Sequence, residues 1–169
     1  GCDNAALEFP LTEADERELA ASGLAAGLIP GQYICIHPGA RSREKCWHPA
    51  RFAQVADQIA TEFGLDIVLT GSAAEAPLTA AVASYMRCPA RDTAAPLSIG
   101  AMAALMNRSR LLIANDTGVS HIAAGLKLRS VIIFSKADLG RWAPLDQLRH
   151  RCLSDPGGDG GCDPLAHQL

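Results

Sequence analysis

Arg41, Ser42, Arg43 and Lys45 fall within five positions of the segment HPGARSREKCW, residues 37–47. Three cations and a hydroxyl placed after a glycine suit a di-anionic group. The cations neutralise charge, the hydroxyl donates, and Gly39 lets the backbone come close. An ordinary solvated basic loop meets the same description. The segment is not a Walker loop, because the Gly-Lys-Ser/Thr end is missing.

Two further segments mix glycine with polar side chains directly after apolar runs. In TGSAAE (70–75), Glu75 can accept hydrogen bonds from two ribose hydroxyls. It is explained equally well as a negative charge at the head of a helix, favoured by the macrodipole. In NDTG (115–118), Asp116 or Thr117 can cap the helix that follows. Gly118 leaves that helix start bare for a phosphate. His121 falls about one turn beyond Thr117, facing the loop rather than the apolar stripe of Val119, Ile122 and Leu126.

Other chemistry is disfavoured. Ser120 and His121 are neighbours on one helix and point apart, and no G-x-S-x-G elbow exists, so a hydrolytic triad with Asp116 is not built. Asp116 and His121 lack further ligands at metal-site spacing, and no metal is expected. The six cysteines contain no C-x-x-C pair and read as reduced thiols, with Cys35 in the core. Whether Cys152 and Cys162 pair is left open by their spacing.

The elements that must position these loops follow from periodicity. YICIH (33–37), LDIVLTG (65–71), RLLIA (110–114) and SVIIF (130–134) read as buried strands, with weaker strands near 88–92 and 149–154. Between them lie amphipathic helices. The clearest is HPARFAQVADQIATEFG, with Pro49 in its first turn, Gly64 as its stop, and Phe52, Val55, Ala56, Ile59 and Phe63 on one face. Ser98 caps another helix, Pro77 lies in the first turn of a third, and Thr12 with Asp15 opens a short one at 13–22. Alternating strands and helices predict an α/β, Rossmann-like three-layer domain with a parallel sheet. Ligands of such sheets collect beyond the carboxyl ends of the strands, where all three polar segments lie.

Composition bounds the rest. The 169 residues fit one substantial core, and a net charge of −3 offers no footprint for a nucleic-acid backbone. No apolar run approaches the ~20 residues of a spanning helix.

Taken together, HPGARSREKCW, IVLTGSAAE, LLIANDTGVSHIAAGL and IIFSKADLGRWAPL occur in an order that resembles the donor-binding half of glycosyltransferase family 9, the heptosyltransferases of lipopolysaccharide core synthesis. LEFPLTEAD resembles that family's interdomain linker, and the resemblance spans roughly residues 8–152. It implies the C-terminal half of a GT-B fold, whose cleft holds an ADP-heptose-like nucleotide sugar. Carried over by position, Lys45 contacts the diphosphate with Ser42 and Arg41, and Glu75 holds the nucleoside end. Asp116 reaches the sugar or its phosphate, the amides of Thr117 and Gly118 cradle the diphosphate, and His121 sits beside it.

The same resemblance implies inverting transfer with no metal and no cofactor, the leaving diphosphate being stabilised by a helix N-terminus and a lysine. The general base and the contacts to the lipopolysaccharide acceptor belong to an N-terminal domain that these residues do not include, so no catalytic residue is assigned here. A cytoplasmic location is implied, with peripheral association of the parent enzyme at the inner membrane. The expected division is a linker with a short helix at 1–31, the nucleotide-sugar domain at 32–154, and a disordered tail at 155–169. Where the family carries a Gly-Pro turn, this chain has FSKADL, with Lys136 and Asp138. Two alternatives fit the same residues: a GT-B-related protein using another sugar nucleotide, and a non-catalytic Rossmann-like binding module.

Overall fold

The computed structural model describes residues 8–40, 46–134, 146 and 148–154. Arg41, Ser42, Lys45, Lys136, Asp138, Cys162 and the segment 155–169 lie outside the described residues.

Six strands form one parallel sheet: β1 (Tyr33–His37), β2 (Asp66–Leu69), β3 (Ala90–Asp92), β4 (Leu111–Asn115), β5 (Ser130–Phe134) and β6 (His150–Ser154). Their spatial order is β3-β2-β1-β4-β5-β6. The chain thus builds outward from β1 to β3, crosses back over β1, and builds outward again from β4. Register is continuous through the centre, with Cys35 opposite both Val68 and Leu112. The weak strands expected near 88–92 and 149–154 are both present, as the two edges of the sheet.

Side-chain alternation along β1 explains why the sheet is covered on both faces. Tyr33 and Cys35 join the core built with α4 (Ile99–Asn107) and α5 (Gly118–Gly125). Ile34 and Ile36 join the core built with α2 (Pro49–Phe63) and α3 (Ala76–Tyr85). A strand buried on both faces must be apolar at every interior position, and YICIH is. Burial pushes the Cys35 thiol up to about 12, which leaves it an inert packing group.

Local signals account for the helix boundaries. Pro49 opens α2, and Gly64 closes it in the left-handed region at φ 63°. Its N-cap is His48, whose Nδ1 accepts from the Ala50 amide at 3.2 Å. Phe52, Ala53 and Ala56 are buried, but Phe63 is 66 % exposed. The expected apolar stripe therefore stops before the helix does: the last turn carries its ring beyond the packed layer. Pro77 falls in the first turn of α3, directly after a 3₁₀ turn at Ala73–Glu75.

The first helix, α1 (Glu13–Ser22), opens with the expected capping box between Thr12 and Asp15. It packs on α4. Glu18 Oε1 accepts from the Ser98 amide at 2.7 Å, and Arg108 pairs with Glu16. A Cβ at Gly100 would stand 1.9 Å from Asp15 Oδ1, so α4 presents bare backbone to α1 there.

Candidate functional site

Strands β1, β2 and β4 each end in a polar group that stays buried: His37 at 4 % exposure, Thr70 just past β2 at 0 %, and Asn115 at 0 %. Burying such groups is costly unless they are hydrogen-bonded, so their partners define what the edge is built to hold. The three lie at the carboxyl edge, on either side of the point where strand order reverses between β1 and β4.

Asn115 bridges that reversal. Its Oδ1 accepts from the Trp47 amide at 3.0 Å, and its Nδ2 donates to the Pro38 carbonyl at 2.8 Å. One side chain on β4 thereby ties both described ends of the basic loop expected to carry Arg41, Ser42 and Lys45. Trp47 packs edge-on against Phe52, with centroids 5.1 Å apart, and its Nε1–H is buried with no hydrogen-bond partner among the described residues.

On the other side of β1, His37 Nδ1 lies 3.2 Å from Thr70 Oγ1, and His37 Nε2 lies 3.7 Å from Glu75 Oε1. Glu75 Oε2 accepts from both the amide and the hydroxyl of Ser72, each at 2.8 Å. Gly39 faces the same carboxylate, and a Cβ there would stand 1.9 Å from Oε1. Burial works against the Glu75 charge, but the Ser72 hydrogen bonds and the nearby His37 outweigh it and hold the carboxyl below its ordinary range. Burial keeps His37 below the usual histidine range despite the carboxylate beside it.

The turn after β4 resolves the choice between two caps. Thr117 is the N-cap of α5, its Oγ1 accepting from the Val119 amide at 3.2 Å. Asp116 keeps its amide in the sheet ladder, donating to Ile133 O at 3.1 Å, and its half-buried carboxylate takes no part in the cap. Gly118 is exposed, and a Cβ there would meet nothing within 4 Å. Ser120 is buried, its Oγ donating to Thr117 O at 2.7 Å, while the neighbouring His121 is half-exposed. The Ser120 hydroxyl therefore spends its proton on the helix's own first turn.

The structure thus gathers Asp116, Thr117, Gly118 and His121 on one turn, and sets Glu75 on the far side of β1 with His37 and Gly39. Reading the sequence alone misses His37, Thr70 and Asn115. Their shared signal is a polar residue closing an otherwise apolar strand: YICIH, DIVLT, LLIAN. Among the described residues, no group of His, Cys, Asp and Glu has the arrangement of a metal site, and no helix is long and apolar enough to cross a membrane.

Strand order and switch-point polar groups define a Rossmann-like α/β domain. The sequence model of glycosyltransferase family 9 (heptosyltransferase) matches residues 4–158, and the chain belongs to that family. Lipopolysaccharide heptosyltransferase 3 of Escherichia coli is 29 % identical over 115 residues, covering 66 % of this chain and 34 % of that protein. The crystal structure of the glycosyl transferase family 9 protein from Veillonella parvula superposes with a TM-score of 0.79 at 25 % identity, over 90 % of this chain and 44 % of that one. E. coli heptosyltransferase WaaC with ADP has the same fold, with a TM-score of 0.67 at 17 % identity, over 83 % of this chain and 43 % of that chain. The chain spans about a third of the curated relatives it matches.

Proposed function

We propose that this chain is the donor-binding domain of a heptosyltransferase of lipopolysaccharide core synthesis, holding an ADP-heptose-like nucleotide sugar at its carboxyl edge. The observation that carries the reading is the start of α5. Its Thr117 cap satisfies one amide, Gly118 is open to solvent, and the Asp116 carboxylate is left out of the cap. A helix start of this kind presents N–H groups and positive dipole to an anion. Support comes also from family membership and from the ADP named with one neighbour.

In this reading the amides of Thr117 and Gly118 cradle the diphosphate, with Lys45, Ser42 and Arg41 completing the cradle from the loop anchored by Asn115. Glu75 accepts from the ribose hydroxyls, Asp116 contacts the sugar or its phosphate, and His121 lies beside them. As the glycosidic bond to the diphosphate breaks, negative charge grows on the leaving oxygens, and fixed donors aimed at them lower the barrier without a metal. Deprotonation of the acceptor hydroxyl falls to a general base in the partner domain of a GT-B enzyme. Transfer then inverts the anomeric centre. The enzyme works in the cytoplasm, at the face of the inner membrane where its acceptor lies.

Calorimetric titration with ADP, UDP and GDP tests the proposal. ADP-selective binding that disappears in Lys45→Ala supports it. Selectivity for UDP or GDP assigns the chain to another sugar nucleotide, and no binding at millimolar nucleotide makes it a non-catalytic module.

A further inference from the structure

We propose that His37 is a positioning residue that aims the Glu75 carboxylate at the ribose hydroxyls of the nucleotide. The inference rests on the reading that Glu75 contacts the ribose, and deepens it.

Glu75 is held from two sides. Oε2 is engaged by the Ser72 amide and hydroxyl, each at 2.8 Å. Oε1 is turned toward β1, 3.7 Å from His37 Nε2, and lies over the bare Cα of Gly39. The Glu75 side chain remains 30 % exposed while that of His37 is 5 % exposed, so histidine bounds the carboxylate from inside and leaves its outer side open. Oε1 is then the oxygen with lone pairs available to a diol.

The hydrogen-bond options of His37 fix how it faces that oxygen. Its Nδ1 is 3.2 Å from Thr70 Oγ1, whose other acceptor, Ile36 O, is farther away at 3.4 Å. If the Thr70 hydroxyl donates to Nδ1, the neutral ring carries its proton on Nε2 and points a donor at Oε1. If Nδ1 carries the proton instead, the Nε2 lone pair faces a carboxylate, which is repulsive. The first arrangement pairs Nδ1 with the Thr70 hydroxyl and turns the Nε2 proton toward Oε1. Thr70 therefore sets the tautomer, His37 sets the carboxylate, and the carboxylate meets the ligand.

A glutamine amide reaches the place of Nε2, and an asparagine amide that of Nδ1. The test titrates ADP and 2′-deoxy-ADP into the unsubstituted chain and into the His37→Gln, His37→Asn and Glu75→Gln variants. The unsubstituted chain is expected to prefer ADP by about tenfold, the worth of one hydrogen bond to a charged group. His37→Gln keeps that preference. His37→Asn and Glu75→Gln lose it, with 2′-deoxy-ADP binding unchanged.

Retention of the preference in His37→Asn, or equal loss in His37→Gln, overturns the role of His37 while Glu75→Gln still reports on the ribose contact. A preference that survives Glu75→Gln overturns the Glu75 reading and this inference with it. No discrimination by the unsubstituted chain does the same. Because a buried histidine variant can fail to fold, the ¹⁵N resonances of His37 in the unsubstituted protein give a second measurement. An Nε2–H tautomer is expected, and an Nδ1–H tautomer overturns the proposal.

Discussion

Past β2 the chain enters its next helix with a carboxylate folded back on the turn. Ser72 gives its amide and hydroxyl to Glu75 Oε2, and the other oxygen faces His37. Past β4 the corresponding turn is capped by a hydroxyl, with Thr117 Oγ1 accepting from Val119 while Asp116 and Gly118 stay outside the cap. An internal negative charge cancels the positive end of a helix and repels an incoming anion. A threonine cap satisfies one amide and leaves that positive end for something else. In the proposed reading the difference gives the edge a direction, with ribose hydroxyls beside Glu75 and phosphates beside Gly118. The proposed nucleoside diphosphate, laid across β1, would meet both ends.

The side chain that ties the end of β4 to the loop after β1, between these two turns, offers the largest way to break the contrast. Asn115→Ala leaves the Trp47 amide and the Pro38 carbonyl buried without partners. It is expected to cost about 2–4 kcal/mol in urea unfolding. A cost below about 0.5 kcal/mol would mean that the seam between β1 and β4 does not depend on it.

Separating cap from ligand contact sharpens the β4 side. Thr117→Ala is expected to lose about 1 kcal/mol of stability as the lost cap. Asp116→Ala should stay within about 0.5 kcal/mol in the same unfolding measurement, yet weaken ADP-sugar binding in calorimetry. If the two variants exchange these effects, Asp116 is the cap and the ligand reading of that carboxylate fails.

On the β2 side, Gly39→Ala places a methyl where Glu75 Oε1 now lies. The closest clash is with the end of a flexible side chain, and His37 Nε2 follows at 3.0 Å, so the melting temperature should fall modestly while any preference for a ribose diol is lost. An unchanged preference would show that the carboxylate can work from another position.

The smallest expected effect comes from pH and compares the carboxyl edge with the amino edge. His37 at one and His150 at the other are both held below the ordinary value of 6.5, by burial first in each case. The unfolded chain then takes up protons before the folded one does. The contribution of these groups is complete above about pH 6.5 and is lost as pH falls toward their depressed folded values. Melting temperature should therefore decline below neutrality. His150→Asn, whose amide can still meet Ser130 Oγ in place of Nδ1, should flatten part of the decline. A slope unchanged by that substitution would place the whole effect elsewhere.

Legibility in the sequence follows distance along the chain. The boundaries of α2 at Pro49 and Gly64, the Thr12–Asp15 box and the Ser98 cap are local events, and residue types near each end suffice to read them. His48 escapes because histidine is seldom a cap, and Phe63 because periodicity does not say where the sheet beneath a helix stops. Between Asp116 and Thr117 both residue types cap well, and the sheet decides by holding the Asp116 amide in its ladder. The contacts that shape the site join residues 33 apart for His37 and Thr70, 68 for Trp47 and Asn115, and 77 for Pro38 and Asn115. The two longer ones depend on β4 pairing with β1 rather than docking beyond β3, which no local pattern reports.

That last adjacency also dictates when the edge comes into being. The strands on either side of the seam can meet only by closing the loop that contains the β2 and β3 units. Closing so long a loop is entropically costly and is compensated only when β4 docks. No partly folded species holding β1 to β3 alone can carry the Asn115 bridge, and none can offer the two turns together. A ligand bound across the seam would then slow unfolding while leaving the folding rate unchanged, lengthening the lifetime of the native state without hastening its arrival.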